Sequence, residues 1–377
     1  MKFVILADRS YNFKKPLADG LKKTLVENGH DCVVFYEALY WIYDLNLLRL
    51  FLTDIYHLFF NILNRKRDLY QYRFFEVLTF LSKKNRKIMQ ECDCMICVEN
   101  CPSSFIKRPR LDFLRDTFKK PIVSYDFHFL PNQGWWKYMR NGNHVGLEQF
   151  DWYLPVGLIT EFAIPSGMPQ IYDCIGLDLR CQDLYPEQDE FIVLLDFPRQ
   201  GHELSRAKEK DTLEKAGIKY IELHGRYTTT EIRAIYRKVS AYFVSTRESF
   251  GLPIIELQLC GAKIFIPHKE WAPAHYLDKS PFESGVGNLG QNFVVYNNPD
   301  DLVYKLIELR DSFNPQLNIN AFMTEYPDYY RINTSNLQKF VERLSNNTIN
   351  YLSHISYAGY DELISTIDDY KLSNMAD

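Results

Sequence analysis

RESFGLPIIELQLCGAKIF, residues 247–265, places two glutamates, Glu248 and Glu256, around a Phe-Gly-Leu-Pro bend. The bend reads as the start of a helix: Gly251 permits close backbone approach, and Pro253 suits a first helical turn, where its missing N–H is not needed. The run before it, AYFVST (241–246), reads as a strand, and so does KIFIP (263–267) after it. Strand, bend, helix, glycine and strand make one step of a parallel α/β sheet. In such sheets ligands lie beyond the carboxyl ends of the strands, so Glu248 is a loop residue at that edge. The free amides of the first turn suit an anion such as a diphosphate. Glu256, near the same turn, is placed to accept hydrogen bonds from a vicinal diol such as a ribose, and Glu248 to reach the other end of the same ligand. A nucleotide sugar has its parts in that order.

The alternation extends both ways. Toward the C-terminus of EFIVLLDF come a helix at 202–216, strand KYIEL, a helix at 229–239, the stretch above, strand NFVVYN and a helix at 299–311. The first part reads as strand KFVILA, a helix at 15–28 stopped by Gly29, strand CVVFY, and later strands CMICVEN, PIVSYDF and DWYLPV. Two parallel α/β units follow, 1–165 and 166–335, with the Gly/Pro-containing segment 155–169 as linker and residues 336–377 as a capping helical segment. Two aromatic-rich helical stretches, 39–63 and 68–89, interrupt the first unit. The first shows a narrow polar stripe and a wide apolar face, which packs on the sheet or meets a membrane surface or lipid acceptor.

With 377 residues, 46% hydrophobic and 24% charged, the chain has room for two ordinary cores. A net charge of −4 argues against nucleic acid as main partner. The charge is uneven: residues 1–165 hold 23 Lys/Arg against 18 Asp/Glu, in short basic runs that are solvated helix ends or face an anionic surface. The N-terminal apolar run is too short for a secretory signal and no span of about 18 apolar residues occurs, so a cytoplasmic protein, peripheral on the inner membrane face if it meets membrane at all, is expected. The eight cysteines are then reduced thiols. Cys92, Cys94, Cys97 and Cys101 sit on or beside a strand that points Cys94 and Cys97 to opposite faces, which disfavours a metal site.

Glu248 and Glu256 with Phe250-Gly251-Leu252 between them resemble the E-x7-E signature of family 4 retaining GT-B glycosyltransferases. HGRYTTTEIRAIYRKVSAYFVSTRES upstream and LCGAKIFIP downstream resemble that family's flanking runs. The likeness is specific over about residues 219–267 and general elsewhere. It implies a GT-B α/β fold, two Rossmann-like domains facing across a cleft with C-terminal helices capping. The implied reaction moves a sugar from a nucleoside diphosphate sugar, a UDP-sugar most readily, to a glycan or lipid-linked hydroxyl acceptor with retention. Carried over by position, Glu256 binds the ribose hydroxyls. Ser249 and the amides of Phe250, Gly251 and Leu252 hold phosphate and sugar oxygens, Glu248 meets the donor sugar beside the reacting carbon, and His224, Gly225 and Arg226 line the base pocket. Arg199 fits the arginine that neutralises the diphosphate. The family's accompanying lysine has no counterpart at the usual spacing, leaving Lys208 and Arg206 as substitutes, and the Gly-Gly loop after the first strand is missing. His128, in YDFHF, resembles an acceptor-side catalytic histidine; a structural histidine is the alternative. Trp271 walls the pocket or simply packs.

No D-x-D triplet is present, so no metal and no further cofactor is expected, and the amides and cations hold the diphosphate. No G-x-G-x-x-G follows a strand, which counts against a nicotinamide dehydrogenase. Two other readings stay open: a GT-B epimerase acting on the sugar nucleotide, and a non-catalytic nucleotide-binding partner of a membrane assembly.

Overall fold

The strand-forming runs are almost uninterruptedly apolar because they lie in parallel sheets covered on both faces. The computed structural model describes residues 1–7, 14–36, 83–98, 114–115, 118–126, 150–157, 174–180, 183–198, 201, 203–245, 248, 250–278 and 287–349. Lys2–Ala7 (β1), Asp31–Tyr36 (β2), Cys94–Val98 (β3), Ile122–Asp126 (β4) and Trp152–Pro155 (β5) form one parallel sheet in the order β2-β1-β3-β4-β5. Ile192–Leu195 (β6), Lys219–Glu222 (β7), Ala241–Phe243 (β8), Lys263–Ile266 (β9) and Phe293–Val295 (β10) form the other, in the order β10-β9-β8-β6-β7. Both follow the same winding, with the order reversing between the first and third strands of each unit. Beyond the carboxyl ends of β1/β3 and β6/β8 lie the switch points at which such sheets bind ligands.

The alternation read from the sequence thus gives two Rossmann-like units. In the first, helix Lys14–Glu27 (α1) buries Leu17, Ala18, Leu21 and Leu25 on one stripe. It ends at Gly29 (φ 80°), where Gly29 N–H donates to Val26 O and His30 N–H to Leu25 O, a left-handed stop that a glycine adopts without strain. Helix Lys83–Glu91 (α2) turns Lys84, Arg86 and Lys87 of one basic run to solvent and Met89 into the core. Cys92, Cys94 and Cys97 are buried, and burial pushes the Cys92 thiol up to about 11. Among the described residues no cluster could hold a metal ion. The segment 39–63, the start of the 68–89 stretch and the boundary at 165/166 lie outside the described residues.

In the second unit, Val193, Leu195, Phe243 and Phe265 face one apolar cluster with Leu213, Leu302 and Leu306, drawn from helices Glu203–Lys215 (α3) and Pro299–Ser312. The alternate residues Leu194, Tyr242, Ile264 and Ile266 face the opposite cluster, which runs on into the first unit. Among the described residues, no helix is long and apolar enough to cross a membrane.

Residues 174–180 join the units. The Ile175 N–H donates to Pro155 O (3.0 Å), Leu177 N–H to Asp328 O (2.8 Å) and Leu179 N–H to Tyr330 O (3.0 Å), while Ile175 O accepts from Asn333 N–H (2.8 Å). Buried Asp178 accepts from Thr24 Oγ1 of α1 and from Arg180 (3.0 Å each). Burial opposes its charge, but these hydrogen bonds outweigh it and hold the carboxyl below the usual range. From Asn333, helix Thr334–Ser345 returns to the first sheet, setting Phe340 6.4 Å from Phe3 and the Arg343 guanidinium 5.0 Å over Trp152.

Gly176 is the tightest point of this joint. It has φ 73°, its carbonyl accepts from Tyr125 Oη (2.8 Å), and a Cβ there would fall 1.9 Å from Asp328 O. Gly176→Ala is therefore expected to cost more than the roughly 1–2 kcal/mol of a left-handed alanine, since Asp328 must also move. Urea denaturation checks this: a midpoint equal to that of the parent chain contradicts the packing described.

Candidate functional site

Beyond the end of β8 the chain is held from beneath by the loop after β9. Glu248 N–H donates to Trp271 O (2.9 Å), and Phe250 O faces His275 Nε2 at 2.7 Å. Gly251, at φ 68° and ψ 86°, then caps helix Leu252–Leu259 without any side-chain cap, and its carbonyl accepts from Ile254 N–H (3.0 Å). The left-handed φ explains why the sequence needs glycine here: a Cβ would lie 2.8 Å from Ile254 Cδ1. The amides of Gly251 and Leu252 donate to no described residue. Pro253 has no N–H to offer, so the orphan donors of this helix start are concentrated in these two groups.

Glu256 is the fifth residue of that helix and opens its second turn, one step deeper than the sequence reading placed it. It is 6% exposed. Its Oε1 accepts from Arg233 Nε (3.0 Å) and Nη2 (2.5 Å), while Oε2 accepts from no described residue. Burial raises the Glu256 carboxyl above its ordinary range and the Arg233 guanidinium opposes that rise. Arg233 belongs to helix Thr229–Tyr236, which starts on a capping box: Glu231 N–H donates to Thr228 Oγ1 (3.3 Å) and Thr228 N–H to Glu231 Oε2 (2.8 Å). Its Nη1 donates to Asp183 Oδ1 (3.1 Å) and Oδ2 (2.9 Å). One guanidinium is thus shared by two carboxylates. Neither Arg233 nor Asp183 was singled out from the sequence, although an arginine among Ile232, Ile235 and Tyr236 on a short helix signals a charge turned inward.

Across the switch point, buried Arg206 of α3 donates to Asp196 O (2.8 Å), just beyond β6, and to Ser245 Oγ (3.1 Å), just beyond β8. It also faces Glu209 (3.4 Å) and Glu222 (3.7 Å). Arg206 thus braces two strand ends through Nη2 while facing two carboxylates, and Lys208 lies exposed on the same helix. Burial disfavours the charge on Glu222, but Lys210 (2.5 Å) and His224 (3.0 Å) outweigh it and hold its carboxyl low.

His224 is exposed apart from that contact, and its N–H donates to Tyr227 Oη (3.2 Å). Gly225 (φ 74°) has open space where a Cβ would be, and Arg226 is exposed. The three follow the carboxyl end of β7, next to β6. Glu248, Phe250, Gly251, Leu252 and Glu256 therefore gather in one turn and helix, while His224 to Arg226 occupy a neighbouring strand end. Trp271 is half-buried, its carbonyl engaged by Glu248 and its ring 5.7 Å from that of His268. His128, Arg199 and Ser249 lie outside the described residues.

No protein-family model matches the sequence, and no curated protein matches it. Among solved structures, the chain is similar to the catalytic domain of starch synthase IV from Arabidopsis thaliana bound to ADP and acarbose. That match has a TM-score of 0.52 at 11% identity and covers 92% of this chain and 99% of the other. Looser likenesses are to Anabaena HepE in complex with UDP-glucose (TM-score 0.42, 13% identity, 92% and 100% covered) and to UDP-GlcNAc 2-epimerase from Neisseria meningitidis bound to UDP-GlcNAc (0.44, 9%, 92% and 100%). At these identities the likeness speaks to architecture, and it agrees with the strand orders above: two Rossmann-like units with parallel sheets and a helix returning to the first, a GT-B fold.

Proposed function

We propose that this chain is a glycosyltransferase that moves a sugar from a nucleoside diphosphate sugar, a UDP-sugar most readily, to a hydroxyl acceptor with retention of anomeric configuration. The observation that carries this reading is the pair of unpartnered amides, Gly251 and Leu252, at a helix start on the carboxyl edge of β8, with Glu256 Oε2 one turn further along. The amides receive the diphosphate, Glu256 accepts from the ribose diol, and His224 to Arg226 offer backbone to the base. As the bond from the sugar's anomeric carbon to the diphosphate breaks, its electron pair goes to the leaving oxygen. Fixed N–H dipoles, with Arg199, stabilise the charge that grows there more than they stabilise the bound donor. The acceptor hydroxyl, for which His128 is the proposed contact, approaches the anomeric carbon from the face the diphosphate leaves, gives its proton to the departing diphosphate oxygen and forms the new bond to that carbon. Glu248 orients the donor's hydroxyls. No metal has a part in this scheme, and a glycan or lipid-linked precursor at the inner membrane face is the acceptor class to try first.

The test is a panel of radiolabelled nucleoside diphosphate sugars, incubated with and without extracts of glycan and lipid acceptors and resolved by chromatography. Label passing to the acceptor fraction, with release of the nucleoside diphosphate, is the expected result. An altered sugar nucleotide formed without acceptor would assign an epimerase instead, and binding without any conversion would assign a non-catalytic partner.

A further inference from the structure

We infer that His275 is a positioning residue for the diphosphate seat, setting the direction of the Gly251 amide through the carbonyl of Phe250; this rests on the donor-binding reading above. His275 is fully buried, in the short turn after β9, and 25 residues from the group it meets. Its Nε2 lies 2.7 Å from Phe250 O. A peptide oxygen only accepts, so the ring nitrogen facing it carries the proton and donates.

A trans peptide is planar, with its C=O and N–H pointing in opposite directions. Fixing the Phe250 oxygen onto a buried donor therefore turns the N–H of the same peptide unit, that of Gly251, away from the interior. That N–H is one of the two amides with no described partner. Gly251 makes such control necessary. A glycine crosses between left-handed and other backbone regions readily, so without an anchor the Phe250–Gly251 peptide could rotate and present its oxygen to an incoming anion. The second constraint on the turn, Glu248 N–H on Trp271 O, holds its entry from the same loop.

The imidazole itself has little freedom. Its ring centroid lies 5.1 Å from that of Phe293, 5.5 Å from Tyr326, 5.7 Å from Tyr329 and 6.1 Å from Phe250. Its backbone is tied as well, since Tyr326 Oη donates to His275 O (2.5 Å) and Tyr329 Oη to Ala274 O (2.7 Å). Filling a box of aromatic rings needs only another ring. Reaching the Phe250 carbonyl needs an N–H, which separates the positioning role from a packing one.

The variants that divide the two are His275→Phe, which keeps a ring and loses the donor, and His275→Gln, which keeps an N–H donor of similar reach. UDP is the probe, titrated by calorimetry into the full chain, with thermal melting as the folding control. His275→Phe is expected to bind UDP at least about tenfold more weakly, and His275→Gln within about threefold of the parent. A crystal structure of His275→Phe without nucleotide is expected to have the Phe250–Gly251 peptide turned. Parent-like UDP affinity in folded His275→Phe, or a Phe250 carbonyl that keeps its direction there, overturns the inference. Should the parent chain itself fail to bind UDP, the uridine form of the donor-binding reading fails, while the peptide's direction in the crystal still decides the role of His275. If His275→Phe does not fold, His275→Met, which fills the space without an N–H donor, takes its place: loss of UDP affinity with a turned Phe250–Gly251 peptide supports the role, and parent-like affinity or an unchanged carbonyl direction contradicts it.

Discussion

Glu256→Gln is expected to weaken UDP binding by about ten- to a hundredfold, the loss that follows when a charged acceptor worth roughly 1.5–3 kcal/mol is replaced by a neutral one. The side chain keeps its volume and an oxygen for Arg233, but the buried pair loses one charge. The variant should therefore melt below the parent, and titrating UDP well below its midpoint separates lost recognition from lost structure. The pH dependence is a sharper mark. Burial raises the Glu256 carboxyl above its ordinary value of 4.5, with Arg233 opposing, so acidification should weaken UDP binding in the parent as this carboxylate takes up its proton. That acid limb should vanish in Glu256→Gln. For stability the sign is opposite: a carboxyl raised by folding contributes stability that is present below the unfolded value and lost as pH rises through the folded one. The variant should therefore lose less stability than the parent between mildly acidic and neutral pH. Calorimetric titrations and urea denaturation at several pH values check both, and an acid limb retained by Glu256→Gln assigns it to another group.

Arg233→Met should have the largest effect on stability. The guanidinium and the Glu256 carboxylate are both buried, with side chains 7% and 8% exposed, and removing one member of such a pair strands the other, at a cost of about 3–5 kcal/mol. The double variant Arg233→Met/Glu256→Leu removes both charges and should recover most of that loss, giving a strongly non-additive double-mutant cycle. Asp183, 42% exposed, is the weaker partner, and Asp183→Ala should cost only about 0–1 kcal/mol because solvent screens that side of the arginine. In Arg233→Met the carboxyl of Glu256 should rise further, shifting the acid limb of UDP binding upward in pH. Simple additivity between the two positions in chemical denaturation would mean that the pair does not act as a unit.

Apolar runs and their punctuation made the architecture legible. KFVILA, CMICVEN and EFIVLLDF are too short and too apolar to be anything but buried strands, and Gly29 marked the end of α1 because it takes the left-handed stop. The bend at Phe250 to Pro253 was legible for a similar reason: Gly251 and Pro253 are residue types whose backbone demands a reader can state in advance. What escaped notice were the groups that act on the turn from a distance. Arg233 is 23 residues from Glu256 and His275 is 25 from Phe250, and no periodicity links such pairs before the sheet brings them together. The surroundings of Arg206 were hidden for the same cause, since the carboxylates that face it, Glu209 and Glu222, are identified by packing and not by spacing.

The strand-like stretch 174–180 and the returning stretch 328–333 lie side by side, bonded backbone to backbone at Leu177, Leu179 and Asn333. The polypeptide thus passes between its two halves along neighbouring tracks stitched to each other, as two leaves of a door share one pin. Any swing of one half against the other would turn about that seam, and the helix start at Gly251, carried wholly by the second half, would travel with it as a rigid piece.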